Sequence, residues 1–260
     1  MSRPLVSVII PCYNQGRYLA ASIGSVLASG YAECEIVVVD DGSTDPETCE
    51  ILTALDYPRT RLIRRENGGL AAARNSGIAA ANGTYILPLD ADDRIGPAYL
   101  AQAVQAFESD DRLGIVYCRA EKFGAETGPW RLPRFSRWRM RLGNVIFCSA
   151  LYRKADWETV GGYDEHLRRG WEDWDFWLSL LELGRTMRCL ELTGFYYRKN
   201  PASMAAGMEA GLKAELHRRL MAKHAVFFSG WSGWLSLLLP LYYRLAAGRI
   251  YRRIKRGAGR

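Results

Sequence analysis

Three apolar, β-branched runs, each ending in a polar cluster, set the tightest limit on how this chain folds. "LVSVIIP" (5–11) leads into "CYN", "EIVVVD" (35–40) into "DGSTDP", and "YILPLD" (85–90) into "ADD". Runs without polar alternation suit strands covered on both faces. Between the first two, "GRYLAASIGSVLAS" puts Leu19, Ile23, Val26 and Leu27 on one helical face. Strand, helix, strand in that order favours a parallel pair with a right-handed crossover. Further along, "PETCEILTALD" reads as a helix with Asp45 as N-cap and Pro46 at its first position. "TRLIRRENGG" holds a short strand, "GGLAAARNSGIAAANG" a helix of small residues able to pack closely, "PAYLAQAVQAFES" a helix and "LGIVYC" a buried strand. The alternation up to about Cys118 predicts an α/β chain with a Rossmann-like, doubly wound, mostly parallel sheet and helices on both faces.

From Arg119 to about Asn144 the periodicity lapses. Arg131, Arg134, Arg137, Arg139 and Arg141 alternate with Trp130, Phe135 and Trp138, a pattern expected of an exposed or mobile loop. "VIFCSALYRKADWETVGGYDE" resumes with a strand and a short helix ending at Gly161 and Gly162, and "WEDWDFWLSLLELG" is a helix. The six cysteines are scattered, without a CxxC pair or a histidine at ligand spacing. Neither zinc nor a disulfide framework is suggested, and a reducing cytoplasm fits best. His166, His217 and His224 stand alone and are expected at the surface.

The formal charge of +7 is uneven: from Lys213 onward eleven lysines and arginines face Glu215 alone. The C-terminal "AVFFSGWSGWLSLLLPLYYRLAAGRIYRRIKRGAGR" is apolar and then basic, with Pro240 and Arg244 arguing against a clean membrane span. A helical, basic tail lying in the headgroup region, with Trp231 and Trp234 inserted and the cations on anionic lipid, is expected.

In an open parallel sheet ligands bind outside the carboxyl ends of the strands, so "PCYN", "DDGS" and "DADD" should face one crevice. Crowded carboxylates repel one another unless a cation sits among them. An all-oxygen set suits Mg²⁺ or Mn²⁺, which keep open positions for phosphates, so Asp90, Asp92 and the metal form a candidate diphosphate site. Phosphates are not held by a P-loop or by GxGxxG, because neither pattern is present. Tyr13 is placed to stack on a base and Asp41 to accept from a base N–H. Arg74 is placed to neutralise phosphate or to pair with a carboxylate. Asp93 reads as a solvated loop charge, and Asn14 equally as a turn former or a contact.

Together "VSVIIPCYNQGRYL", "EIVVVDDGSTD", "NGGLAAARNSGI", "YILPLDADD", "GGYDE" and "WEDWDFWLSL", in this order, resemble the inverting family 2 glycosyltransferases of the GT-A fold. The resemblance covers roughly Leu5 to Leu180. It implies a nucleotide-sugar donor, most often a UDP-sugar, with the base near Pro11, Tyr13 and Asp41 and contacted from Arg74. It further implies that Asp90 and Asp92 are the DxD motif, Asp92 binding the metal, and that Asp173 is the catalytic base. "GFYYRKNPASM" resembles a segment near the donor diphosphate, with Arg198, Lys199 and Ser203 as the polar positions, although Asn200 stands where a histidine is often found. Glu172 is then a helper or acceptor contact, and Trp171 and Trp174 candidate acceptor walls, since aromatic faces suit sugar rings. The corresponding division is a GT-A domain over 1–225, with a nucleotide-sugar half to about 118 and an acceptor half from 119, followed by a membrane-associating segment over 226–260.

The chemistry this implies is a single displacement: a carboxylate takes the acceptor hydroxyl's proton as the oxygen attacks the anomeric carbon. Expected partners are a nucleotide sugar, a glycan or lipid-linked acceptor of surface polysaccharide synthesis, and the inner face of the plasma membrane, with no nucleic acid. A sugar-phosphate nucleotidyltransferase would need a Gly-rich, cationic signature after the first strand, where this chain has "PCYNQGRYL". A non-enzymatic lipid or nucleic-acid binding module would leave the acidic crevice without a purpose.

Overall fold

The computed structural model describes residues 3–200 and 208–229, together with residues 238, 241, 242 and 245. The chain divides into two compact units, 1–200 and 201–260; the boundary expected at 225/226 falls inside the second. The first unit contains β1 (Val6–Cys12), α1 (Gly16–Leu27), β2 (Cys34–Asp40), α2 (Pro46–Thr53), β3 (Thr60–Arg64), α3 (Leu70–Ala80) and β4 (Tyr85–Pro88). It continues with β5 (Arg94–Ile95), α4 (Tyr99–Ser109), β6 (Leu113–Gly124), β7 (Gly128–Trp130), α5 (Arg137–Leu142), β8 (Leu151–Arg153), α6 (Lys154–Val160), α7 (Glu172–Glu182) and β9 (Thr186–Lys199).

The strands form one sheet in the order β3-β2-β1-β4-β8-β6-β9-β5, with β7 beside β6. Strands β3, β2, β1 and β4 are mutually parallel, β8 runs against both β4 and β6, and β9 is parallel to β6. Consequently β6 and β9 point the same way as the parallel block, and only β5, β7 and β8 oppose it. The expected mostly parallel sheet is present, and its direction delivers the ends of β1, β2, β4 and β9 to one edge.

Every residue of β1 is buried, as a central parallel strand demands. The small-residue helix α3 packs on β1 and β2, so closely that a Cβ added at Gly77 would lie 2.5 Å from Ile9 Cγ2 and 2.8 Å from Val39 Cγ2. Asp45 caps α2 by accepting from Thr48 N–H at 2.9 Å, with Pro46 opening the helix. Tyr99 anchors α4 by donating to the Ser149 carbonyl at 2.8 Å.

Three expectations change. Residues 119–144 are not one loop: β6 runs on to Gly124, β7 pairs back on it, and α5 follows. The extension forms because β9 pairs alongside β6 from Leu113 to Gly124, a partner 70 or so residues away that local patterning does not reveal. In the second unit, whose α8 spans Ala210–Lys223, His217 and His224 are buried rather than surface residues. His217 meets the ring of Phe228 edge-on at 6.0 Å. Asp93 is buried as well, for reasons that belong to the site. Ser203, Trp231, Trp234 and most of the expected membrane segment lie outside the described residues.

Candidate active site

The turns after β1 and β2 are stapled together. Asn14, in the left-handed region at φ 54°, accepts from the backbone of Thr44 and Asp45 at 2.8 and 2.9 Å, and its own N–H donates to Ser43 Oγ. Of its two open readings, turn former is the one these bonds support. Pro11 is buried in β1, whereas Tyr13 keeps 48% of its surface open. Asp41 is buried and holds the loop before α3: its carboxylate accepts from Arg65 Nη1 at 2.7 Å and from Gly68 and Gly69 N–H at 3.0 and 2.8 Å. Gly69 sits at φ 90°, a conformation suited to glycine.

Arg74, on α3, is the hub of the crevice. It is 1% exposed, and Nη2 and Nη1 donate at 2.7 Å to Asp90 Oδ1 and to Glu172 Oε1. A fully buried guanidinium is tolerable only when paired in this way. Arg74 therefore binds the two carboxylates to each other, the carboxylate pairing that the sequence offered as one of its roles. Glu172 is likewise buried, with Oε1 turned to Arg74. Cys148, which the sequence did not single out, brings its thiol within 3.5 Å of Asp90 Oδ2. Burial and the Asp90 charge push that thiol well above its usual range.

Asp92 and Asp93 behave differently within one motif. Asp92 is half-buried, and burial together with the Asp90 charge pushes it up to about 6. Asp93 Oδ1 accepts from the backbone N–H of Arg198 at 2.7 Å, fastening the acidic turn to β9. Burial and the neighbouring Asp90 and Asp92 push Asp93 well above the carboxylate range. Its role is structural, which explains why it is not the solvated charge expected. Arg198 donates Nε to the Asp92 carbonyl at 3.0 Å, and its guanidinium lies between the rings of Tyr18 and Phe123 at 4.6 and 4.4 Å. A cation so stacked is fixed in place with its η nitrogens beside the acidic turn.

Asp173 opens α7. The helix begins with Trp171 in the left-handed region at φ 73°, a strained conformation for a bulky residue of the kind that gathers at functional sites. Asp173 Oδ1 accepts from the Trp174 N–H at 2.8 Å, and Oδ2 from Asn144 Nδ2 at 2.9 Å. The Asn144 amide is oriented from its other end, where Oδ1 accepts from Ile146 N–H at 3.1 Å. Burial and Glu172 raise Asp173 to about 7, against the opposing pull of Arg74 and the Trp174 N–H. Trp174 is 1% exposed and donates Nε1 to the Met140 carbonyl at 3.0 Å. It braces α5 against α7 and is not an open wall for a sugar, while Trp171, packed edge-on against it at 4.9 Å, is part-exposed.

Among the described residues no group of three or more His, Cys, Asp or Glu side chains is arranged to hold a metal. Asp90 is ion-paired with Arg74, and Asp92 lies close enough for the Asp90 charge to act on it.

A mostly parallel α/β sheet with an acidic, Arg-bridged crevice at the carboxyl edge of its strands defines a GT-A-like fold. The chain belongs to glycosyl transferase family 2, whose sequence model matches residues 7–163. It is 30% identical over 188 residues to chondroitin synthase of Pasteurella multocida, covering 70% of this chain and 19% of that protein. It is also 30% identical over 245 residues to glycosyltransferase EpsJ of Bacillus subtilis, covering 86% of this chain and 70% of that one. The chain thus spans about a fifth of the length of the first of these relatives. Among solved structures it is similar to S. aureus TarS 1–349 in complex with UDP-GlcNAc, with a TM-score of 0.71 and 21% identity over 86% of this chain and 66% of that one.

Proposed function

We propose that the protein is an inverting glycosyltransferase that moves a sugar from a nucleoside diphosphate, a UDP-sugar, to an acceptor hydroxyl with Asp173 as the general base. The observation that carries this reading is Asp173 itself, raised to about 7 and aimed by Asn144 and the Trp174 N–H. A base poised near neutral pH balances availability against basicity. The acceptor O–H proton passes to Asp173 as the oxygen bonds to the anomeric carbon. The bond to the diphosphate breaks on the opposite face, and the configuration inverts.

Arg198 stabilises the departing diphosphate, and Tyr13 stacks on the base. Pro11 and the Asp41 loop form the floor beneath the base. Asp92, with Asp90 as companion, fits Mg²⁺ or Mn²⁺, because it is a half-buried carboxylate that burial and the Asp90 charge raise to about 6, against the pull of Arg198, and a divalent ion would offset that crowding. Phosphate oxygens and water would complete the coordination. When bound, such an ion supplies positive charge against the leaving phosphates. That TarS was solved with UDP-GlcNAc and with UDP supports a uridine donor.

The acceptor is a glycan, lipid-linked in surface polysaccharide synthesis, and the protein works at the cytoplasmic face of the membrane. The basic, apolar tail supports this location. Among the described residues no helix is long and apolar enough to cross a membrane.

The test is a panel of nucleotide sugars screened by thermal stabilisation and by donor hydrolysis with Mn²⁺. One uridine diphosphate sugar should stabilise the protein and be turned over. Stabilisation by none of them, with no turnover, overturns the reading.

A further inference from the structure

We infer that the arginine-rich segment between β7 and α5 is a docking surface for an acceptor glycan that carries negative charge, as carboxylate or phosphate, near the hydroxyl to be glycosylated. The inference rests on the transferase reading, since it takes Asp173 as the point at which the acceptor is deprotonated.

From Thr127 to Ala155 the chain has no acidic residue, and five arginines fall between positions 131 and 141. Arg131, Arg134 and Arg139 are exposed, and among the described residues none of the three meets a carboxylate within ion-pair distance. Local structure holds the segment in shape. Trp130 anchors one end against Tyr197, ring centroids 4.6 Å apart. Ser136 caps α5 by accepting from Arg139 N–H, Arg139 Nη1 donates to the Arg134 carbonyl at 2.9 Å, and Met140 is fully buried.

The segment is also continuous with the proposed base. Met140 accepts from Trp174, and Asn144, two residues beyond α5, donates to Asp173. The proposed diphosphate site has its own cation in Arg198, on β9, which leaves Arg131, Arg134 and Arg139 to meet a different anion. Guanidinium groups match carboxylate and phosphate in shape. Trp138, 61% exposed, offers one aromatic face, which suits a sugar ring. A lipid surface would call for several inserted apolar side chains, and Trp138 is the one large hydrophobic residue exposed in this segment.

The test uses the full chain and direct binding by calorimetry, so it does not depend on turnover. The probes are a uronate-containing oligosaccharide, a phosphodiester-linked oligosaccharide of the same length, and the carboxyl-reduced, neutral counterpart of the first. At least one anionic probe should bind about tenfold more tightly than the neutral one, with affinity falling as salt rises. The variant R131Q/R134Q/R139Q should lose that preference while UDP binding, which reports an intact fold and donor site, is unchanged. Equal affinity for all three probes, or a preference that survives in the variant, overturns the inference. So does a variant that loses binding only to anionic lipid vesicles. Donor stabilisation and hydrolysis score the transferase reading separately: turnover without an anionic preference sinks the docking surface alone, and an anionic preference with neither donor stabilisation nor turnover sinks the transferase reading and, with it, the assignment of the surface to an acceptor.

Discussion

Burial and the Glu172 carboxylate hold Asp173 at about 7, and a general base must be ionised to work. Transfer should therefore fall about tenfold per pH unit below about 7 and level off above it, as read from kcat/KM against pH. Stability runs the other way. The native carboxyl binds its proton more tightly than the unfolded one, so its contribution falls as pH rises from about 4 to about 7. Asp173→Asn should abolish transfer, leave donor binding with Mn²⁺ intact, and raise the Tm at pH 8 by at least about 2 °C. Full activity in this variant would remove Asp173 as the base. Asn144→Ala deletes a donor to the ionised form and should move the acid limb of the profile upward by roughly half a pH unit to one unit, with donor KM unchanged. A variant that loses rate without any shift in the limb would show that Asn144 does not act through Asp173. That Asp90, Asp92 and Asp173 face one crevice was legible because each lies in a short local motif. Asn144 was not, since its contact with Asp173 spans 29 residues and asparagine at a loop end is unremarkable by itself. Nor was the burial of Asp93, which depends on β9 arriving alongside.

Helix α3 shows how an element carries chemistry through its packing. Its small residues let it sit close on β1 and β2, and that closeness sets Arg74, one turn before Gly77, between Asp90 and Glu172. Gly77→Ala forces a methyl group into Ile9 and Val39 and should cost roughly 1–3 kcal/mol in urea unfolding. It should also lower transfer more than donor binding, because Arg74 rides on the same helix. Arg74→Met leaves two buried carboxylates without their shared cation and should cost about 3–5 kcal/mol; a loss below about 1 kcal/mol would mean the bridge is not a structural support. The helix and its close approach were readable from "GGLAAARNSGIAAANG". The two partners of Arg74 were not, because the ion pair with Glu172 closes 98 residues of chain. The extension of β6 was hidden for the same reason: its alternation is broken by Lys122 and Phe123, and pairing with β9 overrides that local pattern.

At the scale of the molecule the charge divides sharply. Residues 230–260 contain seven lysines and arginines and no acid, which equals the whole formal charge of +7, so residues 1–229 are formally neutral. Residues 1–229 thus have a local arginine patch but no net charge to draw them to an anionic surface, and any long-range attraction comes from the tail. Each Lys or Arg near such a surface contributes about 1 kcal/mol, lost within a Debye length. Replacing all seven tail cations by glutamine in the full chain should release the protein from vesicles of mixed neutral and anionic lipid, lowering the sedimented fraction at least tenfold. Donor hydrolysis in solution should stay the same, since the crevice groups among the described residues lie before residue 200 and none of the seven replaced cations is among them. The unaltered chain should be released similarly when NaCl is raised toward 1 M. Unchanged sedimentation of the glutamine variant, with salt sensitivity retained, would transfer the membrane contact from the tail to the arginine patch beside α5.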